Sequence, residues 1–199
     1  MKTIGLTGGI GSGKTTVCRM LEKLGARCFY ADTIAREIME SDPAVREEIK
    51  ALLGEESYRP DGRLNRAYIA RQVFRDAEKL RQLNRIVHPR VHQAFEQARR
   101  QAEAEGVELL VEEAALIFES GADKHLDKVV VVDAPEEERI RRVVQRDGVS
   151  PEAVRERMRH QLPAAELRRR ADYVLENTGS KEALWAQVQA LYALLKEDP

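Results

Sequence analysis

Gly8-Gly9-Ile10-Gly11-Ser12-Gly13-Lys14-Thr15 fits the pattern G-x-x-x-x-G-K-[ST] at every fixed position. Thr3-Ile4-Gly5-Leu6-Thr7 before it reads as a short buried strand. After it, Val17, Met20, Leu21 and Leu24 fall at i, i+3, i+4 and i+7, an apolar stripe on a helix. Phosphate binding needs this order of strand, glycine loop and helix. Glycines let the backbone curl until successive N–H groups aim at one phosphate, and the helix N-terminus adds partial positive charge. Lys14 then reaches the β- and γ-phosphates, and the Thr15 hydroxyl ligates Mg²⁺. The motif predicts a nucleotide binder, with Gly8, Gly9, Gly11, Ser12, Gly13, Lys14, Thr15 and Thr16 as the contacts.

The 199 residues have room for one α/β domain and a small appended subdomain. With 43% hydrophobic and 34% charged residues, the chain reads as globular with a heavily charged surface. No apolar run approaches the roughly 20 residues of a membrane span. The first residues lack the basic, apolar, small-residue order of a signal peptide. Cys18 and Cys28 fall in a predicted helix and strand, which argues against a disulfide scaffold. These features predict a cytoplasmic protein with no membrane partner. A net charge of −1 supplies no global field for nucleic acid. Between Arg139 and Arg170, however, ten arginines face four acids (Asp147, Glu152, Glu156 and Glu166).

Five apolar runs, at 3–7, 26–30, 108–112, 128–133 and 173–176, read as strands separated by helical patterns. They predict a five-stranded parallel sheet covered on both faces. Almost eighty residues separate the second and third runs, too many for one crossover helix. They hold a helix at 44–53 (Val45, Ile49, Leu52), an Asp61-Gly62 turn, and Asn65 as the cap of a helix bearing Ile69 and Val73. A helix with Leu80, Leu83 and Val87 follows, and Pro89 is expected to open a long helix with Val91, Phe95, Ala98 and Ala102 inward. This predicts a helical insert at about 41–105 for a second substrate. Pro135 with Glu136, Glu137 and Glu138 starts one helix, and Ser150-Pro151 starts another; together they make a helical lid at about 136–170. The core of a single domain is then 1–40, 106–135 and 171–199. It closes on an amphipathic helix from about 180 that packs through Leu184, Val188, Leu191 and Leu195.

Several constellations suit phosphoryl transfer. Arg139, Arg142 and Arg146 share one helical face, and Arg155 and Arg159 repeat the spacing on the next helix. Like charges so placed repel one another, and few acids in the segment offset them. The cluster is either a solvated surface or a mobile lid that neutralises the transferring group and excludes water. Asp32, with Arg36 one turn later, ends the second strand, and ligands gather at the carboxyl ends of parallel strands. It either accepts the proton of an acceptor hydroxyl or caps the following helix. Glu112-Glu113 ends the third strand as an acid for the Mg²⁺ shell or as an exposed strand end, with Glu119 six residues further on. His88 and His92 lack a third ligand at metal spacing. His88-Pro89-Arg90 is expected at a helix junction, capping it or facing the acceptor pocket.

In order along the chain, these segments resemble the dephospho-coenzyme A kinase family essentially end to end. Ile4-Gly5-Leu6-Thr7-Gly8-Gly9-Ile10-Gly11-Ser12-Gly13-Lys14 is similar to its loop almost letter for letter. Ala31-Asp32-Thr33-Ile34-Ala35 resembles its A-D-x-I-A, Asp61-Gly62-Arg63-Leu64-Asn65-Arg66 its D-G-x-L-[DN]-R, and Leu83-Asn84-Arg85-Ile86-Val87-His88-Pro89 its L-N-x-I-x-H-P. Leu116-Ile117-Phe118-Glu119 resembles its L-L-F-E. Arg142, Arg146-Asp147, Arg157 and Gln161 fall on its lid pattern, and Ala171-Asp172 and Asn177 on its final strand. The resemblance implies a fold like the nucleoside monophosphate kinases, with an inserted acceptor subdomain and a lid. It implies ATP with Mg²⁺ as donor and the ribose 3′-hydroxyl of dephospho-coenzyme A as acceptor. Asp32 is then the base, and Lys14, Arg142 and Arg146 serve the phosphoryl group. Asn177 lies near the adenine, Thr15 and Glu113 serve the metal, and Arg36, His88, Leu116, Phe118 and Glu119 serve the acceptor. A monomer or small homo-oligomer without nucleic acid is expected. Four positions depart from the family: Tyr30 replaces a second aspartate, Glu113 an aspartate, Ala115 a proline and Arg139 a glutamine. The rivals are another small-molecule or nucleoside monophosphate kinase, a GTP switch and a nucleic-acid ATPase. The switch requires N-K-x-D and D-x-x-G, which do not occur. The ATPase predicts steeply salt-dependent binding through the arginine cluster, which lacks the interleaved aromatics of single-strand binders.

Overall fold

A computed structural model describes residues 1–74 and 76–197. Positions 198 and 199, at the end of the expected core, and position 75 of the expected insert lie outside the described residues. The strands β1 (Lys2–Thr7), β2 (Arg27–Tyr30), β3 (Leu109–Glu113), β4 (Lys128–Asp133) and β5 (Tyr173–Glu176) form one parallel sheet, ordered β2-β3-β1-β4-β5. β1 lies at its centre with five of six residues buried, as a strand covered on both faces must. Chain order reverses beside β1, the switch point at which open α/β sheets bind ligands. Three strands differ from expectation by a residue. β1 begins at Lys2, β2 begins after Ala26, and β3 runs one residue later, so Glu113 belongs to the strand.

One face of the sheet (Ile4, Leu6, Leu109, Val111, Val130, Val132) packs against α1 (Lys14–Lys23) and α10 (Lys181–Glu197). The α10 residues Leu184, Val188, Leu191 and Leu195 are all buried there, as their spacing predicts. The other face offers Val129 and Val131 to Ile117 and Phe118 of α6 (Ile117–Ser120) and to Leu167 of α9 (Ala164–Arg170). Between β4 and α9 lie α7 (Glu136–Asp147), opened by Pro135, and α8 (Pro151–Met158), where Ser150 Oγ accepts the Ala153 N–H at 3.2 Å.

By their contacts, residues Met1–Tyr30 with Arg99–Pro199 form one compact unit and Ala31–Ala98 a second. The second thus begins ten residues before the expected insert, because β2 runs directly into α2 (Ala31–Ser41) without a loop. Its core joins Val45, Ile49 and Leu53 of α3 (Pro43–Leu53) to Tyr58 and Leu64, which pair in a short bridge, and to Val73 of α4 (Arg66–Phe74). Leu83 and Val87 of α5 (Ala77–Ala104) complete it. Leu53, rather than Leu52, takes the fully buried position. Asn65 caps α4 as expected, its Oδ1 accepting the Tyr68 N–H at 3.3 Å. Two helices divided at Pro89 were expected; one helix runs through it. Proline removes one helical hydrogen bond and crowds the carbonyl four residues back. The apolar positions continue through it, with Leu83, Val87 and Phe95 buried. Among the described residues no helix is long and apolar enough to cross a membrane.

Candidate active site

The glycine loop joins β1 to α1. Gly13 caps α1 with φ 105° and no side-chain cap, so the first N–H groups of the helix are left for a ligand. Glycine is required there twice over, since a Cβ would also lie 2.3 Å from Asn177 Nδ2. Lys14 Nζ donates to the Gly8 carbonyl at 2.9 Å, folded along its own loop. Thr15 is exposed at the helix start. Thr7 Oγ1 and Ser12 Oγ are buried beneath the loop without a hydrogen-bond partner.

Side chains from distant segments hold this loop. Asn177, just past β5, donates from Nδ2 to the Ser12 carbonyl at 2.8 Å. Arg142 of α7 reaches the Gly11 and Ser12 carbonyls, both at 3.4 Å, and donates to the Asn177 carbonyl at 3.0 Å and Glu138 at 2.8 Å. Gln161 accepts the Ile10 N–H at 2.8 Å and donates to the Ala115 carbonyl at 3.0 Å. Glu119 accepts the Leu162 N–H at 2.8 Å, so it anchors the α8–α9 connection. The resemblance assigns Gln161 only to a lid pattern; its bridging is not readable from spacing. Arg142 is partly readable, because Glu138 stands four residues before it on the same helix.

The arginine cluster differs from the expectation that acids are too few to offset it. Glu138 serves Arg141 and Arg142, Asp147 serves Arg146 and Arg157, and Glu166 serves Arg169 and Arg170. Arg168 binds Asp133 and Glu176, both from outside the segment. Arg146, expected over the phosphoryl group, lies 65% exposed on Asp147, with its Nε 2.7 Å from Oδ1. Its guanidinium holds that carboxyl below the usual range. Arg139 is buried instead of sharing this surface.

Glu113 is buried at the carboxyl end of β3, paired in register with Leu6 and Tyr30, so it is no exposed strand end. Glu112 points to the opposite face, and burial pushes its carboxyl up to about 7. Leu116 is 39% exposed, whereas Phe118 is in the core with the Arg170 guanidinium 5.8 Å above its ring. In the second unit, Asp32 and Arg36 are exposed on α2. Asp32 is not the cap, because α2 already begins at Ala31; it is an acid within the first turn. His88 lies inside α5 rather than at a junction. Burial lowers its imidazole pKa, which favours the neutral form. Among the described residues no group of three or more His, Cys, Asp or Glu could hold a metal ion.

A parallel sheet ordered β2-β3-β1-β4-β5, with the glycine loop at its switch point and Lys14 at the head of α1, defines an ATP-dependent P-loop kinase. The family model for dephospho-CoA kinase matches residues 2–182. A dephospho-CoA kinase of Salinibacter ruber is 53% identical over 192 residues, covering 96% of each chain. A crystal structure from Thermus thermophilus superposes with TM-score 0.82 at 41% identity, over 98% of this chain and 97% of the other. The dephospho-CoA kinase of Campylobacter jejuni does so with TM-score 0.71 at 26% identity and the same coverage. The chain belongs to the dephospho-CoA kinase family.

Proposed function

We infer that the chain transfers the γ-phosphoryl group of ATP to the ribose 3′-hydroxyl of dephospho-coenzyme A, giving coenzyme A and ADP. The observation that carries this is the complete glycine loop at the sheet's switch point in a chain of this family. In the reaction the 3′-oxygen forms a bond to the γ-phosphorus as the bond to the β–γ bridging oxygen breaks. The hydroxyl proton passes to Asp32, whose exposed carboxylate makes no hydrogen bond or ion pair among the described residues. Lys14 exchanges the Gly8 carbonyl for the β- and γ-phosphates. Arg142 supports the loop that holds them. Arg146 serves the phosphoryl group only after leaving Asp147. Asn177 borders the adenine, and Arg36, His88, Leu116, Phe118 and Glu119 define the acceptor side. Phe118 and Glu119 act there by shaping the backbone of their loop.

The residues present fit Mg²⁺. Such an ion needs one hydroxyl, phosphate oxygens and water rather than a cage of protein ligands. Thr15 supplies an exposed hydroxyl at the head of α1, and Glu113 a carboxylate at the adjacent strand end. When bound, the metal supplies charge neutralisation across the β- and γ-phosphates. The proposed enzyme is cytoplasmic, a monomer or small homo-oligomer that works without nucleic-acid or membrane partners; within the lid, Asp147 and Glu166 offset Arg146, Arg157, Arg169 and Arg170.

Purified protein with Mg-ATP is expected to yield ADP with dephospho-coenzyme A. ADP from nucleoside monophosphates but none from dephospho-coenzyme A would overturn the assignment. Asp32→Asn is expected to keep ATP binding while kcat falls about 10²–10⁴-fold. An unchanged kcat would remove Asp32 from the role of base.

A further inference from the structure

A guanidinium without a counter-ion lies against the glycine loop. Arg139 is 8% exposed, and among the described residues the only hydrogen bond its side chain makes is from Nε to the Ala134 carbonyl, at 3.1 Å. No carboxylate pairs with it among the described residues. Of the nearby acids, Glu138 is committed to Arg141 and Arg142 and Asp133 to Arg168 at 2.6 Å, while Glu136 is exposed to solvent. Burying an unpaired cation is costly, and folded chains avoid it unless a ligand supplies the missing charge. The guanidinium is pressed so close to Gly9 that a Cβ there would lie 2.0 Å from Nη1.

Arg139 faces a cavity of about 510 Å³, a volume typical of small-molecule sites. Arg155 of α8 and Arg159, the residue that caps its C-terminus, line it as well. Their own acids, Glu152 at 3.7 Å and Glu156 at 2.7 Å, are exposed neighbours on the same helix and bind weakly. Glu136 and the committed Asp133 are the acids on the wall. The twelve-residue helix α7 begins there at Glu136, after Pro135, with no side-chain cap on its first N–H groups. Of the glycine loop only Gly9 borders the cavity; Ser12, Lys14 and Thr15 do not.

We propose that this cavity is a second anion site, distinct from the loop that takes the ATP phosphates, and that it binds orthophosphate or the terminal group of a phosphate monoester. Arg139 anchors the anion through its Nη edge, since a planar fork matches two phosphate oxygens. Arg155 and Arg159 close the outer side. The site is mechanically tied to the loop at three residues. The guanidinium lies on Gly9, the Arg139 carbonyl would be 2.4 Å from a Cβ on Gly11, and Gln161 of the cavity wall holds the Ile10 N–H. An anion gripped by Arg139 therefore bears on the conformation of the ATP loop.

The test is calorimetric titration of the full chain with orthophosphate while Mg²⁺ and a non-hydrolysable ATP analogue saturate the loop. Heat from the analogue itself first verifies the ATP reading separately. One saturable equivalent of orthophosphate is expected, weakened at least tenfold in Arg139→Gln. A parallel titration with phenyl phosphate distinguishes the two sources: tighter binding assigns the site to a monoester, and weaker binding to the free ion. Because Arg139 is buried, Arg155→Gln/Arg159→Gln, altered only at exposed positions, keeps the test valid if the first variant does not fold. It is expected to bind several-fold more weakly. Loss of orthophosphate binding once the analogue saturates the loop would overturn the proposal. So would wild-type affinity in the folded Arg139→Gln protein or in the double variant.

Discussion

Lys14 and Glu112 illustrate two ways in which one side chain carries consequence. Lys14 donates to the Gly8 carbonyl at 2.9 Å, the contact that a phosphate would displace in the proposed reaction. Lys14→Met is expected to fold normally and to lose about 10²–10³-fold in kcat, the usual cost of removing one positioned donor to a transferring group. Steady-state kinetics beside a thermal melt check this, and a melt shifted as far as the activity would mark a structural role instead. Glu112 matters for stability rather than chemistry. Burial raises its folded pKa to about 7 from an ordinary 4.5. Between those values the folded state keeps a proton that the unfolded state has released, so stability falls as pH rises through the interval and levels off above it. The difference corresponds to about 3 kcal/mol. Glu112→Gln removes the ionisation, so urea unfolding is expected to favour the variant at pH 8 and to bring it level with the parent at pH 5. A parent equally stable at both, relative to the variant, would show that Glu112 ionises freely.

Among the elements, α5 shows what periodicity can and cannot reveal. Apolar spacing marks Leu83, Val87 and Phe95 correctly, yet Pro89 reads as a boundary because local propensity opposes it. Tertiary burial on both sides of the proline overrides that local preference. Pro89→Ala restores the missing backbone donor and is expected to raise stability by about 1–3 kcal/mol. Denaturant midpoints would reveal it, and an unchanged midpoint would mean that the helix accommodates the proline without strain. The strands, the loop, α10 and the caps at Asn65 and Ser150 were legible because each rests on a short-range rule of spacing or capping. The clamp on the loop was not. Gln161 lies 151 residues from Ile10 along the chain, and no local rule connects them. The lid arginines misled for a related reason, since Asp133 and Glu176, which neutralise Arg168, lie on strands outside the cluster. Gln161→Ala frees the Ile10 N–H and the Ala115 carbonyl. Because its contacts are to the loop and not to an acceptor, KM for ATP is expected to rise several-fold with KM for dephospho-coenzyme A unchanged. Equal increases in both would assign Gln161 to general stability.

At the scale of the whole molecule, the residues of the proposed reaction are divided between two compact units. Residues Met1–Tyr30 and Arg99–Pro199 carry the glycine loop and the distant side chains Arg142, Gln161 and Asn177 that hydrogen-bond to it. Residues Ala31–Ala98 carry Asp32, Arg36 and His88. The junction at Tyr30–Ala31 is covalent and without a loop, so Asp32 is placed only two residues beyond a sheet strand. Asp32 and Arg36 share α2, and His88, on α5, lies in the same unit. This division predicts separable ligand footprints in hydrogen exchange. Mg-ATP stabilises whatever it contacts by mass action, about 2.7 kcal/mol at a hundredfold excess over Kd. Protection is therefore expected at 8–16, 139–143 and 177 with the nucleotide alone. Dephospho-coenzyme A is expected to add protection within 31–98, around α2 and the His88 turn of α5. Nucleotide protection confined to the loop, with no acceptor protection anywhere in 31–98, would mean that the helical unit does not bind the acceptor. The acceptor site would then have to be sought at Leu116 and its neighbours, in the unit that carries the loop.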